Sequence, residues 1–226
     1  MKDYAGSHTG NAGLGMGVEE ALERQRSRVR EAFAEFSMAG ARQDKVLDLG
    51  AIGRSQPADR LHVSGRQGVD HKVTFHDVLL PSDRQRSVNA AAVTSVLELP
   101  FADGEFDWVF CNRVLECAGD TVQQYMLLKE LARVARRGLF VTASNKRHPL
   151  EFNTGLPLLH WLPDSQWKRC LSLLGKRPTP SGLPLNLLDA PELDKMAGLI
   201  AEQDQFKIGH IRHLGIKAMF FLMLRK

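Results

Sequence analysis

The alternation of short apolar runs with amphipathic stretches predicts an α/β protein. Residues 45–50, 106–111 and 138–144 are apolar runs with the length of strands buried on both faces of a parallel sheet. Between the last two, residues 121–137 carry apolar positions at helical spacing, and Gly138 stands where it would stop the helix. Strands that alternate with helices in this way indicate a doubly wound, mostly parallel sheet.

Further strands complete this sheet. The second strand falls either at residues 60–63 or at residues 72–80, and a third is predicted at residues 91–96. Near the end of the chain, residues 206–213 and 218–224 are predicted as two final strands.

Two segments do not follow the α/β pattern. Residues 1–17 are polar and glycine-rich, and we predict a disordered lead that precedes one domain at residues 18–226, whose first element is an amphipathic helix. Residues 146–190 are rich in proline, and we predict an irregular cap with one short helix near residues 166–174. After the cap, Asp189 and Glu192 have the spacing of a capping box and predict the start of another helix.

Composition narrows the function classes. The chain has 226 residues, 43% of them hydrophobic, and no apolar run of the length that a membrane helix needs, so we expect a cytoplasmic protein without a membrane span. The three cysteines have neither a metal-ligand spacing nor an even number for disulfides, so no metal site is predicted. The net charge is only +4 and the basic residues are scattered, so nucleic-acid binding is not indicated.

One long motif points to a family. Residues 99–109 read L-P-F-A-D-G-E-F-D-W-V, and residues 114–116 read V-L-E. This segment resembles the fourth-strand region of the class I S-adenosylmethionine-dependent methyltransferases, which often read L-P-F-x-D-x-x-F-D-x-V followed by V-L-E. The resemblance spans residues 18–226. It implies a Rossmann-like fold with an antiparallel last strand, S-adenosylmethionine as cofactor, and methyl transfer as the reaction.

The glycine-rich cofactor motif of that family is altered here. The family commonly shows D-x-G-x-G-x-G, whereas residues 48–54 read D-L-G-A-I-G-R. Ile52 and Arg54 stand at the second and third glycine positions, and a β-branched residue resists the positive φ that glycine allows. The resemblance implies that the methionine part of the cofactor lies against the residues of this turn that remain compatible: Asp48, Gly50, Ala51 and Gly53.

The resemblance also assigns the rest of the cofactor pocket. An acid at the end of the second strand receives the ribose hydroxyls; this is Asp77, or the position falls on Ser64 if residues 60–63 form that strand. Ser95 stands where the family has an acid for the adenine amine, and the backbone of Val96 can still serve. At the end of the fourth strand, Cys111 and Asn112 line the methyl-donor pocket, although a core role for Cys111 fits equally well, and Glu116 is interpreted as an acid that starts the next helix.

The acceptor chemistry depends on the cap. A base is needed for a hydroxyl or amine acceptor, and His148 and His160 are the candidates, with His148 first because it follows the predicted fifth strand. Residues 156–163, L-P-L-L-H-W-L-P, resemble a cap in some sugar- and lipid-modifying relatives, so we expect a small-molecule or saccharide-like acceptor. The alternative is a catalytically inactive methyltransferase-like domain that acts as a partner or scaffold subunit, which Ile52, Arg54 and Ser95 favour.

Overall fold

The computed structural model describes residues 14–37, 44–51, 61, 72–78, 98–151, 156–174 and 185–226. The predicted third strand at residues 91–96 lies outside them, as do residues 1–13 of the predicted disordered lead and residues 152–155 and 175–184 of the predicted cap.

Four α-helices and eight strands make up the described part of the chain. The helices are α1 (Leu14–Ser37), α2 (Thr121–Val134), α3 (Asp164–Leu173) and α4 (Ala190–Ala197). The strands are β1 (Lys45–Ala51), β2 (Lys72–Val78), β3 (Phe106–Cys111), β4 (Ala135–Ser144), β5 (Leu150–Glu151), β6 (Leu156–Pro157), β7 (Phe206–His213) and β8 (Ile216–Arg225).

Six of these strands form one sheet in the order β2-β1-β3-β4-β8-β7. The four strands from β2 to β4 are parallel, whereas β8 runs antiparallel to both of its neighbours. This arrangement confirms the predicted Rossmann-like sheet with an antiparallel last strand. It also confirms that the three apolar runs, now β1, β3 and β4, are adjacent and buried.

Helices cover both faces of the sheet, which is why its central strands are largely apolar and buried. On one face, α1 packs aromatic side chains against the sheet, and the ring centroids of Phe33 and Phe110 lie 5.0 Å apart. On the other face, α2 and α4 bury leucines, among them Leu128 and Leu193, in a continuous core with β3 and β4.

Helix α2 ends earlier than the sequence predicted, so its predicted extent to residue 137 is wrong. Ala135 has extended backbone angles (φ −80°, ψ 131°) and begins β4. Gly138 therefore lies inside a strand and stops no helix. A Cβ at this position would lie 2.5 Å from the Leu224 carbonyl oxygen and 2.9 Å from the Trp108 ring, so the glycine allows the close approach of neighbouring elements.

The other boundaries differ by a few residues or agree. Helix α1 begins at Leu14, before the expected start at Val18, and β2 covers residues 72–78 of the predicted 72–80. Helix α4 has the predicted capping box between Asp189 and Glu192. Within residues 146–190, α3 matches the expected short helix, whereas the antiparallel pair β5–β6 was not expected. No helix among the described residues is long and apolar enough to cross a membrane.

Candidate functional site

The carboxyl ends of the parallel strands meet at one edge of the sheet, where open α/β sheets bind ligands. Strand β1 reaches this edge at Gly50 and Ala51, and β2 reaches it at Asp77. Gly50 and Asp77 are register partners across these two strands. Asn112 directly follows β3 at the same edge. The structure therefore brings together five of the residues that the sequence singled out, since Asp48 lies in β1 two residues before Gly50.

Asp48 holds the chain that leaves β1. Its side chain is buried, and its Oδ2 accepts a hydrogen bond of 2.7 Å from the backbone N–H of Leu61. The carboxylate thus ties Leu61 to the strand. Gly53, Ser64, Ser95 and Val96 lie outside the described residues, so their predicted roles stay predictions.

Asp77 is partly exposed at the end of β2 and is the penultimate residue of that strand. The preceding His76 packs edge-on against Phe101, with 5.0 Å between ring centroids. Burial lowers the pKa of His76, and the negative charge of Asp77 opposes this shift. A carboxylate at this position can accept two hydrogen bonds from a vicinal diol, so it fits the hydroxyls of a ribose.

Asn112 is held at the end of β3 by a hydrogen-bond chain to β4. The Thr142 hydroxyl donates to Asn112 Oδ1 at 2.7 Å and accepts from the backbone N–H of Arg113 at 3.0 Å. Arg113 has a φ of 59°, in the left-handed region that L-residues rarely adopt. The chain therefore turns sharply after Asn112, and Thr142 stabilises that turn.

Glu116 is fully buried just beyond this turn, in the 3-10 helix Leu115–Cys117. It accepts hydrogen bonds from Ser144, at 2.6 Å from the backbone N–H and 3.1 Å from the hydroxyl. The Arg113 guanidinium lies 3.7 Å from the same carboxylate. Glu116 thus fixes the carboxyl end of β4 relative to β3, a contact between distant residues that no local sequence signal indicated.

Cys111 is buried in the core at the end of β3. Burial, with the nearby negative charge of Asp48, raises the pKa of its thiol well above the usual range. The thiol therefore stays protonated and is a poor nucleophile. Among the residues that the structure describes, no group of three or more His, Cys, Asp or Glu side chains is arranged to hold a metal ion.

The two candidate histidines occupy different environments. His148 is only 2% exposed, its Nδ1 lies 2.9 Å from the Leu150 carbonyl oxygen, and its ring centroid is 5.8 Å from that of His213. His160 is partly exposed, and its Nε2 lies 3.2 Å from the Lys146 carbonyl oxygen. Burial lowers the pKa of His160, against the raising effects of the Glu151 charge and of neighbouring backbone carbonyls.

A cavity of about 530 Å³, here called the cap cavity, lies beyond the carboxyl end of β4. Two cations, three ring-bearing side chains, one leucine and a short segment line it: Lys146, Arg147, His160, Trp161, Trp167, Leu162 and residues 185–187. The backbone N–H of Asn186 donates to the Glu116 carbonyl oxygen at 2.9 Å, which joins the cavity wall to the residues that follow β3. His160 lines this cavity, and His148 is not among its lining residues.

Comparison with known proteins finds similarity to methyltransferases in the sequence of one part of the chain and in the fold. Residues 47–142 match the family model described as "Methyltransferase domain". The structure is similar to magnesium protoporphyrin IX methyltransferase from Synechocystis PCC 6803 with bound S-adenosylhomocysteine, with a TM-score of 0.52 and 14% identity over 97% of this chain and 90% of that one. It is also similar to a possible exported protein from Bordetella parapertussis, with a TM-score of 0.51 and 10% identity over 90% and 67% of the two chains. No curated protein matches the chain.

Proposed function

We propose that this chain is a class I S-adenosylmethionine-dependent methyltransferase, which binds S-adenosylmethionine and transfers its methyl group to a small-molecule acceptor. One observation carries the proposal. Gly50 and Asp77 are register partners at the carboxyl ends of adjacent parallel strands, inside the segment that matches the family model. A glycine next to a carboxylate at this edge is suited to a nucleoside ligand.

The cofactor would lie along the carboxyl edge of β1, β2 and β3. Asp77 would accept hydrogen bonds from the ribose hydroxyls, and Asn112 would line the methyl-donor pocket next to Cys111. Asp48 would act from behind the pocket, since its carboxylate holds the returning chain at Leu61. The remaining cofactor contacts are those expected from the sequence: Gly50, Ala51, Gly53, Ser95 and Val96. When bound, S-adenosylmethionine supplies an electrophilic methyl group on a sulfonium centre.

We assign the base to His160 ahead of His148, the reverse of the order expected from the sequence. A carbonyl oxygen only accepts hydrogen bonds, so the contact with Lys146 O requires the proton on His160 Nε2. In the neutral ring Nδ1 then carries the lone pair; this atom is buried and has no hydrogen-bond partner among the described residues, so the acceptor would have to expose it on binding. The lowered pKa keeps this ring neutral at pH 7, as a base requires.

His148 is better suited to holding the cap. Its ring is buried, and its Nδ1 is within hydrogen-bond distance of both the N–H and the carbonyl oxygen of Leu150. Because methyl transfer is an in-line displacement, most of the rate can come from holding the acceptor in line with the methyl group. The cap cavity is the proposed acceptor site.

Calorimetric titration with S-adenosylhomocysteine tests the proposal. The wild-type chain should bind, and Asp77→Ala should weaken binding by about ten- to a hundredfold, since it removes one or two charge-assisted hydrogen bonds. Asp204→Ala is the matched control, because Asp204 is an exposed carboxylate in the turn before β7, and it should bind like the wild type. Unchanged affinity in Asp77→Ala would show that Asp77 does not bind the ribose. Absence of binding by the wild type would overturn the proposed methyltransferase function.

A further inference from the structure

We infer that the cap cavity takes an acceptor that carries a carboxylate on a flat apolar ring. The inference rests on the proposed methyl transfer for the role of this molecule as acceptor. The chemical class of the ligand is inferred from the shape, the apolar walls and the charged residues of the cavity.

Trp161 forms a fixed, open platform at the cavity. Its side chain is 55% exposed, although large apolar surfaces are usually covered. Its indole N–H donates to the Lys146 carbonyl oxygen at 2.8 Å, which fixes the orientation of the ring. Leu162 and residues 185–187 supply further lining. A rigid indole face beside leucines favours a flat apolar ring over a flexible chain.

The residues that line the cavity also include two cations. Lys146 and Arg147 are lining residues, whereas the carboxylates that pair with them, Asp189 and Glu192, are not. Burial alone would lower the pKa of Lys146, but its hydrogen bond to Glu192 and the charges of both acids raise it, so the ammonium stays charged.

Arg147 has donor capacity left for a ligand. Its Nε and Nη2 contact Asp189 at 3.2 and 2.8 Å, and its Nη1 has no partner among the described residues. The side chain is 72% exposed. A guanidinium with a free N–H beside an ammonium is suited to a carboxylate.

A third polar group belongs to Trp167, another residue of the cavity wall. Trp167 is only 5% exposed, and its buried indole N–H has no hydrogen-bond partner in the part of the chain that the structure describes. A buried donor without a partner is unfavourable, and an acceptor oxygen on a ligand would satisfy it. The cavity volume of about 530 Å³ falls within the range of roughly 300–1,000 Å³ that is typical of sites for ring-bearing small molecules.

A pair of isosteric probes, 2-naphthoate and 2-naphthamide, tests the inference by calorimetry at low ionic strength. The naphthoate should bind about tenfold more tightly than the amide, because only the former carries the charge that Lys146 and Arg147 favour. Arg147→Gln should remove this preference and leave the amide affinity unchanged. Trp161→Ala should weaken both probes by about tenfold, and Trp161→Phe should retain most of the binding.

Arg136→Gln is the matched control for Arg147→Gln. Arg136 is 65% exposed and pairs with the buried Asp107 as Arg147 pairs with the buried Asp189, but it lies at the start of β4, at the opposite edge of the sheet. The Arg136→Gln variant should keep the preference for naphthoate over the amide. Equal affinities for the two probes in the wild type would overturn the inference, as would an unchanged preference in Arg147→Gln. If glucuronate binds and naphthoate does not, the inference that the ligand carries an apolar ring is wrong.

Titration of the same proteins with S-adenosylhomocysteine separates the two proposals. If naphthoate binds as expected and S-adenosylhomocysteine does not bind, the cavity chemistry stands and methyl transfer is wrong. If S-adenosylhomocysteine binds and neither probe does, the methyltransferase function stands and the acceptor class is wrong.

Discussion

The carbonyl oxygen of Lys146 lies within hydrogen-bond distance of two ring nitrogens of the cap, His160 Nε2 at 3.2 Å and Trp161 Nε1 at 2.8 Å. One backbone group therefore sets both the tautomer of the proposed base and the orientation of the proposed acceptor platform. The two rings lie beside each other, with 5.6 Å between centroids. A substitution that displaces this carbonyl should affect proton transfer and acceptor binding together.

The titration of His160 is a direct test at this scale. Burial lowers its pKa from 6.5, so we expect the ring to titrate below 6.5 in the folded chain, with the proton of the neutral form on Nε2. As the pH falls through this lowered pKa the base becomes protonated, and turnover should fall with it. NMR titration of the ring, assigned through His160→Gln, measures both the pKa and the tautomer. A pKa at or above 6.5, or a proton on Nδ1, would contradict the assignment.

Site residues that are marked by their place in a strand could be predicted from the sequence. Residues whose role depends on a hydrogen bond to a neighbouring strand could not. Asp48 lies inside one recognisable strand and Asp77 near the end of another, and their placement in these strands followed from the sequence. Thr142 and Ser144 were missed because their partners, Asn112 and Glu116, lie 30 and 28 residues away along the chain. Only the parallel pairing of β3 with β4 brings them together.

At the scale of elements, β4 shows how packing overrides a local pattern. The basic residues at 133–137 suit a helix C-terminus, and the sequence therefore predicted helix up to Gly138. In the fold, Gly138 pairs with Trp108 of β3 and with Arg225 of β8. Pairing with β3 and β8 satisfies the backbone hydrogen bonds from Gly138 onward. Glycine is needed here because Leu224 and Trp108, which are distant in sequence, leave no room for a side chain.

Substitution of Gly138 tests this packing. In Gly138→Ala the new methyl group would meet the Leu224 carbonyl oxygen at 2.5 Å and the Trp108 ring at 2.9 Å, and neither can move freely. We expect a loss of about 1–3 kcal/mol in the free energy of unfolding, measured by urea denaturation.

Gly198→Ala is the control. Gly198 has helical angles (φ −66°, ψ −12°), and its nearest neighbour to a new Cβ is 3.5 Å away. This variant should be unchanged or more stable by up to about 1 kcal/mol. A Gly138→Ala protein as stable as the wild type would contradict the close packing of Gly138 against Leu224 and Trp108.

At the scale of the whole molecule, the proposed cofactor site and the proposed acceptor site lie on different parts of the fold. The edge formed by β1, β2 and β3 is the proposed cofactor side, and the cap cavity beyond β4 is the proposed acceptor side. The sheet could be predicted because each strand is a distinct apolar run. The cavity could not, since its lining comes from four separated parts of a segment without strand-like alternation: residues 146–147, 160–162, 167 and 185–187.

Hydrogen–deuterium exchange with and without S-adenosylhomocysteine tests the central claim, that the carboxyl edge of this sheet is a cofactor site. Ligand that binds there should slow exchange in peptides that contain the ends of β1 and β2, Lys45–Ala51 and Lys72–Val78, and in the turn at residues 112–116. Exchange in β7 and β8 should be unchanged, since these strands lie at the far side of the sheet. Slowed exchange confined to β7 and β8, or no change in any peptide at saturating ligand, would contradict the account.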